Sequence, residues 1–157
     1  MSDDDSMTID LRGLENLMKA LKAKPPTCRV GILGGGTHSS KGGKSVSNAQ
    51  VGSWHEFGTS KLPVRSFLRL PVSALLEKRL EASGAFDKNV LAQVVASGTV
   101  VPWMQKVAAA AEEIVLGAFD SGGYGTWVPS DMSHKDNAQT LIETGQLRNS
   151  ISSEVAT

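Results

Sequence analysis

The chain has one cysteine, three histidines and few aromatic residues, and each scarcity removes a class of protein. Cys28 alone cannot form an intramolecular disulfide, which suits a reducing compartment. His38, His55 and His134 lie far apart with no cysteine at ligand spacing, so no metal site is expected. Aromatic content of 5% means that the core must be built mostly from aliphatic side chains and alanine. No run reaches the ~18 apolar residues of a membrane helix. The longest uncharged stretch, 89–105, contains Asn, Gln, Ser, Thr, Gly and Pro. The chain opens with Asp3-Asp4-Asp5, the opposite of a basic signal-peptide start, so synthesis in the cytoplasm without a secretion signal is expected.

Net charge is also lacking, but the charges that cancel are not evenly spread. Residues 1–10 carry four acids and no base. Residues 11–70 carry ten bases against two acids, a net of +8, and residues 71–157 carry six bases against ten acids, a net of −4. Such a chain could meet copies of itself head to tail, or turn one basic face to nucleic acid; interleaving of the charges on folding would remove both options. The 157 residues fit a single domain spanning 1–157, with the polar, acidic residues 1–7 read as disordered.

Periodicity sets the elements. From Asp10 onward, Leu11, Leu14, Met18 and Leu21 form one helical stripe, ended by Pro25-Pro26. Cys28, Val30 and Ile32 alternate with Thr27, Arg29 and Gly31, which predicts a strand over 27–33. Residues 34–48 are glycine-rich, basic and read as a long flexible loop. Asn48 is placed as the N-cap of a helix over 49–57, with Gly58 just past its end. Three further helices follow. One has Pro71 in its first turn and a stripe of Val72, Leu75, Leu76 and Leu80, stopping near Ser83-Gly84. The next carries Phe86, Val90, Leu91, Val94 and Val95 and ends near Gly98. The last starts at Thr99 and Pro102, with Trp103, Val107, Ala110, Ile114 and Ala118 on one face. Residues 120–140 read as loop. A short turn or helix capped by Thr144 then leads to a strand over 151–155, paired antiparallel with 27–33. The fold class expected is α+β: a small antiparallel sheet flanked by several helices, with a long flexible Gly-rich loop.

Two catalytic patterns fail on register. A phosphate loop ending in Gly43-Lys44-Ser45 would need glycine at 38, which is His38, and no second strand ends in a magnesium-binding Asp. His55-Glu56 would need a second histidine at 59 to bind zinc, and that residue is Thr59. A small hydrolase using His55 and Glu56 is the weakest of three functional readings. A nucleic-acid-binding module using the basic region 12–69 is the second; zero net charge and the lack of aromatics clustered among the bases stand against it.

The first reading comes from two separated stretches. His55-Glu56-Phe57-Gly58-Thr59, then Pro63, Arg65, Phe67-Leu68-Arg69 and Pro71, form one. Trp127-x-Pro129, Lys135 and Leu141-Ile142-x-Thr144-Gly145-x-Leu147-x-x-Ser150-Ile151 form the other. Together they resemble the tail-completion, or neck, proteins of tailed bacteriophages, also described as minor tail or virion-morphogenesis proteins. The likeness covers about a third of the chain, and 129–135 is shorter than the family pattern. It implies a small antiparallel sheet flanked by helices and a non-enzymatic virion assembly protein without a cofactor. It further implies a ring, usually sixfold, around the DNA channel, between the head connector or adaptor and the tail terminator. The resemblance also allows a monomer in isolation, and it implies proximity to channel DNA without specificity and no membrane contact.

Site residues follow from both arguments. Lys41 and Lys44 in the loop, Arg65, Arg69 and Trp127 are read as partner-facing. For the two arginines the alternative is ordinary surface ion pairing, and for Trp127 it is a clamp holding a loop on the core. Trp54, Phe57, Gly58, Pro63, Phe67, Thr144 and Gly145 are read as a structural elbow, with Trp54, Phe57 and Phe67 in the core.

Overall fold

A computed structural model of the chain describes residues 11–39, 45–129, 141 and 145–157. Its ordering centre is a long helix, α5 (Val101–Asp120), whose alanine-rich sequence allows close approach on several sides. Pro102 sits in its first turn, where a missing N–H costs nothing. Ala108, Ala110, Ala111, Ile114, Val115, Ala118 and Phe119 are all buried along it. Across one side lies a two-stranded antiparallel sheet of β1 (Thr27–Ile32) and β4 (Ile151–Ala156), in the register Thr27↔Ala156 to Ile32↔Ile151. That pairing agrees with the expected one to within a residue at each end. Against other sides of α5 pack α3 (Arg69–Ala82) and α4 (Lys88–Ser97). The architecture is α+β.

The core divides in two. Phe67, Val115, Ala118, Phe119, Trp127, Leu147 and Ile151 fill the space between α5, the sheet and the segments before α3 and after α5. Leu80, Ala85 and Ala110 form a smaller cluster where α3 turns into α4. That turn is closed by Ser83 and by Gly84 at φ 67°, as the Ser-Gly pair predicts.

Several local expectations are corrected. The Leu11–Leu14–Met18–Leu21 stripe is not the packed face of α1 (Arg12–Lys22): these side chains are 53%, 54%, 47% and 73% exposed. The helix instead lays Gly13, Asn16 and Ala20 on α4, because the small residues let the backbones come close. A Cβ at Gly13 would lie 3.2 Å from Val95 Cγ1, and Asn16 Nδ2 donates to the Ala96 carbonyl at 3.4 Å. Phe86 precedes α4 and is exposed rather than forming its stripe.

The glycine-rich segment is not loop throughout. Its described ends pair as β2 (Thr37–Ser39) and β3 (Ser45–Ser47), an antiparallel hairpin. Helix α2 (Asn48–Phe57) is capped by Ser47, one residue before the expected Asn48. The Ser47 hydroxyl accepts from Gln50 N at 3.1 Å, and the Gln50 side chain accepts from Ser47 N at 3.2 Å. This reciprocal box satisfies two donors that Asn48 alone could not. The short α6 (Gln146–Asn149) has Gly145, at φ 67°, as its N-cap. Lys41, Lys44, Thr144 and residues 1–7 lie outside the described residues.

Candidate functional site

The stretch joining α2 to α3 folds around a single carboxylate. Glu56 lies in the last turn of α2 and is 5% exposed. Its Oε1 accepts from Ser66 Oγ at 2.6 Å and from Arg69 N at 2.9 Å. Its Oε2 accepts from Phe67 N at 2.9 Å and Leu68 N at 3.0 Å. The first residues of α3 make no side-chain cap of their own, so a carboxylate from another helix supplies it. Free amides and the positive end of the helix dipole both favour an anion there. Ser66 completes the arrangement, because its hydroxyl donates to Glu56 and accepts from Leu70 N at 3.0 Å.

The chain reaches this geometry through a tight turn. Gly58 has φ 74°, and a Cβ there would lie 2.9 Å from Val64 Cγ2 and 3.2 Å from the Leu62 carbonyl, so only glycine fits. Thr59 Oγ1 accepts from Lys61 N and Leu62 N, and Thr59 N donates to the Leu62 carbonyl. Pro63 follows, and Arg65 N then returns to the His55 carbonyl at 2.7 Å. Next in line, Phe67 plugs the main core at 2% exposure, its ring centroid 5.0 Å from that of Phe119.

The second stretch closes on the first. Trp127 Nε1 donates to the Ser66 carbonyl at 3.1 Å, and Arg65 Nε donates to the Val128 carbonyl at 3.0 Å. These two bonds cross in opposite senses between segments 61 and 63 positions apart. The Trp127 ring meets Phe119 edge to face at 5.9 Å. Gly123, at φ 70°, is required beneath it, since any Cβ would overlap the indole. Trp127 therefore clamps the loop onto the core. Arg65 is buried, and burial pulls its guanidinium pKa below the ordinary value.

Trp54 and Phe57, expected in the core, are 43% and 64% exposed. They sit on the outer face of α2 because the buried positions of that helix are Asn48, Gly52 and Glu56, four apart. Arg69 is also exposed; its guanidinium lies over the Phe57 ring at 5.6 Å, and its Nε is 3.9 Å from Glu56. Burial, then the Arg65 charge, holds His55 below the usual histidine pKa, and its Nδ1 is buried without a partner. With both Glu56 oxygens engaged by donors, the His55-Glu56 pair is not arranged as a free acid and base. The capping role of Glu56 was the residue-level feature that sequence reasoning missed. Its one signal is an acid in an otherwise uncharged helix, followed ten residues later by Ser-Phe-Leu-Arg.

Among the described residues no group of three or more His, Cys, Asp or Glu could hold a metal, and no helix is long and apolar enough to cross a membrane. Cys28 is half-buried, and burial raises its thiol pKa. No known family, curated protein or solved structure matches the chain.

Proposed function

We propose that the protein is a structural component of a tailed-phage virion, a tail-completion or neck protein that joins the tail to the head connector. In this reading it forms a ring, hexameric in the virion, around the DNA channel, and it performs no catalysis and uses no cofactor. One observation carries the reading. The two stretches that resemble the neck family, far apart in sequence, converge on one another through Trp127–Ser66 and Arg65–Val128 around the Glu56 cap. Residues that form a folding staple of this kind need no catalytic spacing, which supports an assembly role. The exposed Trp54, Phe57 and Arg69 beside the staple give the ring a surface of the residue types that anchor interfaces.

The test is deletion of the gene in the parent phage, followed by electron microscopy of the lysate. Separate filled heads and tails are the expected products. Normal virions would remove the assignment.

A further inference from the structure

We propose that α1 is the plug of a head-to-tail contact, docking its outward apolar face into the groove between α5 and β4 of a second copy of this chain. The inference rests on the ring reading above and names its repeating interface.

The plug is unusual for a surface helix. Amphipathic helices turn their apolar stripe to the core, yet α1 packs on α4 through Gly13, Asn16 and Ala20 and leaves Leu11, Leu14, Met18 and Leu21 in solvent. The exposed stripe is continuous along all three turns of the helix. Arg12, Lys19, Lys22 and Lys24 accompany it, against Glu15 alone.

The socket has the opposite charge. A groove of 520 Å³ runs between α5 and β4. Ala109, Leu116 and Val155 give it an apolar floor, and Glu112, Glu113 and Glu154 line its rim with no cation among the described lining residues. Among the described residues two of the three carboxylates are held in exposed pairs, Glu113 with Arg79 and Glu154 with Arg29. Glu112 accepts from Ser153 Oγ. Exposed pairs of this kind are worth under about 1 kcal/mol, so incoming lysines can join or replace them. Residues 101–116 of α5 give the groove a length of about 24 Å, and the eleven residues of α1 measure about 16 Å. Because alanine lies on the floor, a helix can approach without displacing a large side chain. The plug and socket are different surfaces, so the contact is heterologous and repeats from copy to copy until rotation closes a ring. Another apolar cleft, 340 Å³ beside Val64, Leu70 and Tyr124, has no charge among its described lining residues to match the basic helix.

The test uses the full chain with Cys28→Ser as background. A Leu14→Cys, Ala109→Cys double variant, concentrated to millimolar protein at low salt and mildly oxidised, is expected to give a ladder of cross-linked species. Neither single cysteine should do so. Cross-linking by Leu14→Cys alone would show a symmetric helix–helix contact, and efficient pairing with Leu70→Cys would put the plug in the other cleft; either overturns the proposal. A second experiment needs no cross-link. Met18→Glu spoils the plug and Ala109→Arg spoils the socket, both at exposed sites that leave circular dichroism and Tm unchanged. Each is expected to weaken self-association at least tenfold, while an equimolar mixture recovers dimers through the one intact contact. Mixtures that recover nothing, variants that associate like the parent, or a parent chain monomeric at millimolar concentration all overturn it. The gene-deletion phenotype is independent of these readouts, so failure of this contact and failure of the neck reading are separable.

Discussion

At the scale of single residues, Glu56 bears more of the structure than any other polar group described. Four donors converge on it, three of them backbone amides at the start of α3. Removing the carboxylate leaves those donors buried and unpaired, each costing about 1–3 kcal/mol. Glu56→Ala is expected to lower unfolding free energy by about 3 kcal/mol or more in urea titration, and Glu56→Gln by less, since one oxygen remains. A loss below about 1 kcal/mol for Glu56→Ala would falsify this role. Gly58→Ala should cost about 1–3 kcal/mol from left-handed backbone strain and the Val64 contact, read by the same titration.

His55 adds a pH dependence at this scale. Its folded pKa lies below the ordinary 6.5 because burial and Arg65 disfavour the imidazolium. The unfolded chain therefore binds the proton more readily, and stability rises with pH between the folded and unfolded values. The contribution is present above pH 6.5 and is lost as pH falls through the folded pKa. Thermal melts of the parent from pH 7.5 to 5 should show this slope, and a His55→Gln variant should show less of it.

At the scale of elements, the sequence revealed which segments are regular more readily than which way they face. Strand pairing of 27–33 with 151–155 was legible because alternation and length left one partner for each. Helix α5 was legible from its spacing and from Pro102. The faces of α1 and α2 were not. A stripe of leucines normally marks a core face, but Gly13 and Ala20 allow a closer backbone approach on the opposite side. In α2 the buried face is Asn48, Gly52 and Glu56, a polar set that no hydrophobic pattern can announce. Gly52 is there because a Cβ would overlap Ile32 Cδ1, which puts the helix directly on the sheet. Trp127 was legible only as one of two alternatives, since sequence does not tell a clamp from an anchor. Its clamp role is checked by Trp127→Phe: the ring contact with Phe119 survives, while the bond to Ser66 is lost. A destabilisation of about 1–3 kcal/mol is expected, with residues 121–128 becoming the first to lose hydrogen-exchange protection.

At the scale of the whole molecule, zero net charge bears on the choice between the proposed assembly role and nucleic-acid binding. A DNA-binding module owes its affinity to released counterions and loses it steeply with salt. Here the bases of 11–70 are matched by acids elsewhere, and one of them, Arg65, is buried in a backbone contact. The isolated protein is expected to bind duplex DNA with no more than a shallow dependence on salt in fluorescence anisotropy. A steep slope would favour the nucleic-acid reading.

The pairing of β1 with β4 has a kinetic consequence. Arg29 and Glu154 face each other across the sheet although 125 positions separate them. Joining such distant segments loses much chain freedom before any contact returns it, which favours late formation of the sheet. Closure entropy grows only logarithmically, however, by about 0.6 kcal/mol for each doubling of the loop. The same topology that delays the sheet therefore makes the intervening surface loops tolerant of insertion. The loops can vary while the frame that carries them stays the same.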